Sequence, residues 1–127
     1  MFLMQDTISG DSKLDELIYL SMLYDFYGDL LPDNKKQVFE DYVLNDLSLS
    51  EIAEHMNISR QGVHDIVKRC TQELKDYEEK LSLLKKFTNI KQMLNSIKNV
   101  CDIITETEDL NRLKDIEMLA DDILKEL

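Results

Sequence analysis

Glycine, proline and tryptophan are nearly missing from this chain: its 127 residues include three glycines, one proline and no tryptophan. So few turn formers cannot punctuate the many short strands of an all-β sandwich, and 43% hydrophobic with 32% charged residues is the composition of a helical protein. The expected fold class is all-α. Cysteine is scarce as well. Cys70 and Cys101 are the only two, both inside apolar-periodic stretches, and they read as reduced, buried thiols rather than a disulfide framework. Positive charge is also short, since 15 Lys and Arg face 26 Asp and Glu and leave a net charge of −11. That balance repels phosphate backbones and anionic lipid at long range, which disfavours generic nucleic-acid coating. Long apolar runs are absent: Met1-Phe2-Leu3-Met4 is too short for a signal segment or a membrane span, and polar Gln5-Asp6-Thr7 follows it at once. The expectation is a cytoplasmic chain, not anchored to a membrane, of a size for one domain with a helical extension.

Residues 1–13 read as a flexible leader that ends near an N-cap at Ser12, with Glu16 shortly after. A strongly hydrophobic first helix should follow, carrying Leu14, Leu17, Ile18, Met22, Tyr24 and Phe26 and closing at Tyr27-Gly28, where Gly28 would supply a left-handed cap. Pro32 restricts Leu31 and pre-sets a second helix with Val38, Phe39 and Tyr42 on one face, ended by Asn45-Asp46. Beyond Gly62 neither glycine nor proline recurs, so long helices are expected. Val63, Val67, Cys70, Leu74, Tyr77, Leu81 and Leu84 alternate in steps of four and three, the pattern of a helix packed along a seam. The alternation slips at Phe87 and Ile90, which predicts a break near Lys85 to Asn89, and then resumes through Leu94, Ile97, Cys101 and Ile104. Thr107 or Asp109 should cap a last helix with the stripe Leu110, Leu113, Ile116, Ala120, Ile123 and Leu127. About seven helices are expected on these signals, in a domain over 14–87 and a C-terminal extension over 88–127 that serves packing or dimerisation.

Residues 48–70 carry the one constellation with a recognised mechanism, a helix-turn-helix. Ser48 and Glu51 have capping-box spacing, so a helix begins at Leu49. Ile52 and Met56 face inward on it, and Ala53 is small enough for a second helix to cross closely. Asn57 tolerates the left-handed conformation of the tight turn, Ile58 plugs the space beneath it, and Ser59 caps the next helix. Val63 and Ile66 complete the inward face. Arg60, Gln61, His64, Asp65 and Lys68 then project from the opposite side, which such motifs place in the DNA major groove. Arg60, Gln61 and His64 are the candidate base contacts. Ser59, Lys68 and Arg69 are the candidate phosphate contacts, with Lys75 assisting. Asp65 on that side weakens DNA affinity unless it accepts from a cytosine amino group or pairs with Arg69.

The charge pattern agrees with this placement: residues 57–75 hold four cations against two carboxylates, while the segments on either side are both net negative. A surplus of two is small for a DNA binder, so a monomer would bind weakly. Two copies would place two reading helices in successive grooves, and the seam from Val63 to Ile104 offers an apolar surface for a homodimer. His55 and His64 lie on different helices without a thiol or carboxylate at ligand spacing, so neither metal nor cofactor is expected. No hydroxyl or thiol nucleophile stands beside a histidine and no Gly-rich phosphate loop occurs, so no enzymatic activity is expected. The aromatic residues occur at helical spacing and read as core rather than as stacking platforms for bases. The rival to double-stranded DNA is a protein-interaction adaptor built on the acidic, amphipathic tail; structured RNA ranks lower, because its major groove is too narrow for a helix.

The stretch from Leu31-Pro32 through Cys70 resembles the fourth region of bacterial sigma factors. More closely, Tyr24-Asp25-Phe26-Tyr27, Leu30-Leu31, Asp46-Leu47-Ser48-Leu49, Glu51-Ile52-Ala53-Glu54, Ser59-Arg60-Gln61 and the tail from Tyr77-Glu78-Glu79-Lys80-Leu81 to Lys86-Phe87 are similar to the YlxM family of small bacterial proteins. That resemblance covers about residues 14–87. It implies a sigma-like helix-turn-helix with a helical tail, and a regulatory role around the signal recognition particle pathway, with that particle's protein or RNA as a partner. Gly62 departs from the family, which more often has Ala there, and this loosens the first turn of the reading helix by ~1 kcal/mol.

Overall fold

The computed structural model describes residues 9–127 and builds them from six α-helices and two short 3-10 turns, with no strand among the described residues. Helix α1 spans Ser9–Tyr27 and a 3-10 turn Gly28–Leu30; α2 is Asp33–Val43, α3 Leu49–Met56 and α4 Arg60–Leu81. Then come α5, Leu83–Thr107, a 3-10 turn at Leu110–Arg112, and α6, Leu113–Glu126. The chain divides into two compact units, one ending at Leu81 and one starting at Ser82.

In the first unit, α1 starts before the expected cap, so Ser12 and the last residues of the expected leader are already helical; residues 1–8 lie outside the described part. Of the six apolar residues expected on α1, Tyr24 is buried and Leu17 half-buried. Leu20, Leu23, Tyr24 and Tyr27 are buried, whereas Leu14, Ile18, Met22 and Phe26 are exposed. The reason is that α1 is apolar on every side, so its periodicity does not say which side turns inward. Polar anchors settle it: Lys75 on α4 reaches Glu16 at 3.2 Å, and the Tyr27 hydroxyl donates to Glu78 at 2.6 Å.

Gly28 corrects another expectation. Among the described residues no glycine has a positive φ, so Gly28 is not a left-handed cap. It is needed because the Tyr24 ring lies against it, 2.7 Å from where a Cβ would stand. Leu31 and Pro32 are extended as the proline requires, and the backbone N–H groups of Lys35 and Lys36 donate to the Pro32 carbonyl to start α2. Val38 and Phe39 on α2 are buried, with the Phe39 ring centroid 6.0 Å from that of Tyr24. The buried carboxylate of Asp41 accepts from Gln37 and Asn45, at 3.1 and 2.8 Å, and Asp46 turns the chain with φ 54 toward α3.

Cys70 is buried on α4, where desolvation and the nearby Glu73 carboxylate push its thiol up to about 11. Cys101 is exposed, contrary to expectation, because it stands on an uncovered flank of α5. The thiolate is the nucleophile. Alkylation of the native chain at neutral pH should therefore label Cys101 alone, with Cys70 reacting only as the protein is unfolded by denaturant. Mass spectrometry of labelled peptides reads the result, and rapid native labelling of Cys70 would contradict its burial.

The seam of α4 is interrupted at Ser82, not at 85–89: Ser82 has φ 53, and its carbonyl accepts from Lys86 N to restart the chain as α5. In the second unit α5 and α6 pack as a hairpin. The Asp109 side chain accepts from Asn111 N at 3.1 Å and so caps the 3-10 turn that leads into α6. Of its 46 residues, Leu84 alone is buried.

Candidate nucleic-acid interface

The motif is built from local signals that all hold in space. Ser48 Oγ accepts from Glu51 N at 3.1 Å and the Glu51 carboxylate accepts from Ser48 N at 2.9 Å, a complete capping box. The Ser48 backbone N–H, and after it the hydroxyl, hold the Glu51 carboxyl below its ordinary value. Asn57 closes α3 in the left-handed conformation, φ 56 and ψ 44, and its N–H donates to the Ala53 carbonyl. Ser59 Oγ then accepts from Gly62 N at 2.9 Å, capping α4. An alanine at 62 would put its Cβ 3.1 Å from that oxygen, so glycine here leaves the cap room.

Behind the turn, Val38, Ile52 and Val63 form a buried cluster, and Ala53, Met56, Ile66 and Val67 pack against it half-buried. Ile58 is different. It is 41% exposed and lines a small apolar hollow of about 210 Å³ with Asn34, Val38, Met56 and Ile66, so it rims the space under the turn without sealing it. The correction has a simple cause: the left-handed Asn57 ends α3 just before Ile58, whose backbone N–H still folds back to the Ala53 carbonyl while its side chain lies at the edge.

Helix α4 is two-faced. Val63, Cys70 and Leu74 are buried, and this inward face uses up the part of the seam that a partner chain was expected to cover. On the other side Ser59, Arg60, Gln61, His64, Asp65, Lys68 and Arg69 are all exposed. At about 3.6 residues per turn, Gln61, His64 and Lys68 share one stripe along the first three turns, turned away from Val63 and Cys70, while Arg60 stands at its edge, one turn from Val63, where it borders a hollow shared with Asp46 and Glu51. Gln61 Nε2 donates to Asp65 Oδ1 at 3.0 Å, and His64 Nδ1 stands 3.7 Å from the same oxygen. Asp65 is thus engaged with Gln61 and His64 and not with Arg69. Lys68, Arg69, Asp65 and Gln72 border one open hollow of about 430 Å³, where two cations converge. Lys75 is drawn away, since its ammonium pairs with Glu16 on α1. The sequence reading missed this engagement and the Gln61–Asp65 bond, although residues four apart on a helix are within reach of each other.

A capping-box helix, a left-handed turn and a second helix with a polar ridge define an all-α helix-turn-helix protein. A family model, that of the YlxM / p13 like helix-turn-helix proteins, matches residues 14–116. The chain belongs to this family. It is similar to the UPF0122 protein of Thermoanaerobacter sp. (strain X514), at 47% identity over 110 residues that cover 86% of this chain and 94% of the relative. It is also similar to the UPF0122 protein YlxM of Bacillus subtilis (strain 168), 42% identical over 101 residues, 80% of this chain and 92% of the relative. A UPF0122 protein of Clostridium kluyveri is 41% identical over 108 residues, 83% and 97% of the two chains. None of the described helices is long and apolar enough to cross a membrane.

Proposed function

We propose that this chain is a cytoplasmic, non-enzymatic regulator that binds double-stranded DNA as a homodimer, with the first turns of α4 in the major groove. The observation that carries the reading is the row of Arg60, Gln61, His64 and Lys68, all exposed on the helix that follows the motif's turn. Arg60 and Gln61 stand at the N-terminal end of that helix and have the donors that read base edges; Gln61 exchanges its bond to Asp65 for one to an adenine. Lys68 and Arg69, about two turns further along, suit successive phosphates. The setting is the one the family resemblance implies, regulation around the signal recognition particle pathway.

The test is binding to duplexes selected from random DNA, measured at two salt concentrations. Arg60→Ala with Gln61→Ala should abolish discrimination between selected and scrambled duplexes at unchanged helicity. Lys68→Ala should weaken both alike and reduce the slope of log K against log salt by about one. Unaltered affinity and slope in all these variants would end the DNA reading. A protein-interaction adaptor is the second reading, favoured by the apolar hollow that Val38, Met56, Ile58 and Ile66 leave open beside the motif.

A further inference from the structure

The α5–α6 hairpin leaves apolar surface uncovered in a definite pattern. On α5 the half-buried residues Ile90, Met93, Ile97, Val100 and Ile104 form the side toward α6, and on α6 the half-buried Ile116, Leu119, Ala120 and Ile123 form the side toward α5. Next to each of these stripes lies a second, exposed apolar flank: Leu94 and Cys101 on α5, Leu113 and Leu124 on α6, with Leu94 at 49% and Leu124 at 68% exposure. Both flanks are reached by the same sense of rotation from the contact stripe, at about 3.6 residues per turn. Because the helices are right-handed and antiparallel, equal rotations open the flanks on the same side of the hairpin. The hairpin thus presents these apolar side chains on one side.

The rims of that face carry opposite charge. Beyond Leu94 and Cys101, the outer edge on α5 holds Lys91 and Lys98; beyond Leu113 and Leu124, the outer edge on α6 holds Glu117 and Asp121. Lys114 and Lys125 stand further round, on the side of α6 turned from α5. None of the four rim residues has an ion-pair partner among the described residues. Their levels also match. Asn89 Nδ2 donates to Glu126 Oε2 at 2.9 Å, which fixes the register of the hairpin. Counting inward equally on both helices from that pair, Leu94 comes level with Asp121 and Lys98 with Glu117.

We infer that this face binds a second copy of itself, by a two-fold axis parallel to the helices that lays α5 of each copy over α6 of the other. That operation keeps every residue at its own level, so Lys98 meets Glu117 of the second copy, Asp121 falls between Lys91 and Lys98, and Leu94 seats between Ala120 and Leu124. It occurs twice by symmetry, as a self-complementary interface must. Two hairpins then make a four-helix bundle with an interior, which a lone pair of helices lacks. The inference deepens the homodimer element of the proposed function by naming its surface; it does not use the reading helix.

The experiment is sedimentation equilibrium of the full chain and three variants, with circular dichroism to verify helicity. Lys98→Glu and Glu117→Lys each set like charges against each other twice and should raise the dimer dissociation constant about tenfold or more. The double variant, Lys98→Glu with Glu117→Lys, should return it to within about threefold of the parent, because the pairs are restored with their signs exchanged. Alkylation of Cys101 should slow as protein concentration rises through the dissociation constant. A chain monomeric at about 100 µM, or a dimer indifferent to both single reversals, overturns the assignment. DNA binding by the Arg60 and Gln61 variants is read separately, so either proposal can fail alone.

Discussion

Replacing Phe39 with alanine should lower the free energy of unfolding of the first unit by about 3–5 kcal/mol, the largest loss expected from any single truncation in this chain. Phe39 has no exposed surface, and its ring packs against Tyr24, whose hydroxyl in turn donates to Glu40 at 2.6 Å. Removing the ring therefore deletes a large buried apolar volume in a place that cannot collapse. Tyr24 is held by its hydrogen bond, and on the neighbouring position of α2 Val38 is committed to the cluster with Ile52 and Val63. The loss reaches the motif because α2 is packed against both α3 and α4. Thermal and urea unfolding followed by near-ultraviolet circular dichroism of the tyrosines would measure it. Leu110→Ala is the control: Leu110 is 68% exposed, and its truncation should change stability by less than about 0.5 kcal/mol. Equal losses in the two variants would mean that Phe39 is not at the centre of the core.

The parts of this structure legible in the sequence are those decided within a few residues of chain. Ser48, Glu51, Asn57 and Ser59 each act on backbone groups within five positions, so their spacing alone forecast the capping box, the left-handed turn and the start of α4. The outward ridge followed from that start and the helical period. What stayed hidden depends on distant partners. Which side of α1 turns inward was undetermined by a helix apolar all round, and is decided by Glu16 reaching Lys75 and Tyr27 reaching Glu78 across more than fifty residues. Ser82 breaks the α4 seam in a conformation that serine seldom adopts and that no neighbouring residue announces. Cys101 carries the same seven-residue spacing from Leu94 as a buried seam position would, so its exposure could be learned only once α6 was placed on the adjoining stripe. Glycine after a helix usually supplies a left-handed cap, but the need for Gly28 arises from a ring one turn earlier in α1.

That need makes a sharp prediction. Adding a methyl group at Gly28 would place a Cβ 2.7 Å from both Cδ1 and Cε1 of Tyr24 and 3.0 Å from Cγ, closer than real carbon contacts. Either the ring or the backbone must move. Tyr24 is 8% exposed, and its ring is bonded through the hydroxyl to Glu40 and packed on Phe39, so it cannot swing aside without breaking one of them. Burial of that phenol, and then its donation to Glu40, push its ionisation upward, so it keeps its proton and remains a donor through neutral pH. An alanine in place of glycine normally gains up to about 1 kcal/mol by restricting the unfolded chain, and here φ is not positive, so no backbone strain offsets that gain. Overpacking opposes it with about 1–3 kcal/mol. Gly28→Ala should therefore destabilise the first unit by about 1–2 kcal/mol, and Gly28→Val by more. The attribution to the ring is tested by a cycle with Tyr24→Leu, which removes the crowded carbons. In that background Gly28→Ala should be neutral or stabilising, giving a coupling of about 1–2 kcal/mol between the two positions. Urea midpoints of the four proteins supply the number, and additive losses would show that Gly28 is required for some reason other than the Tyr24 ring.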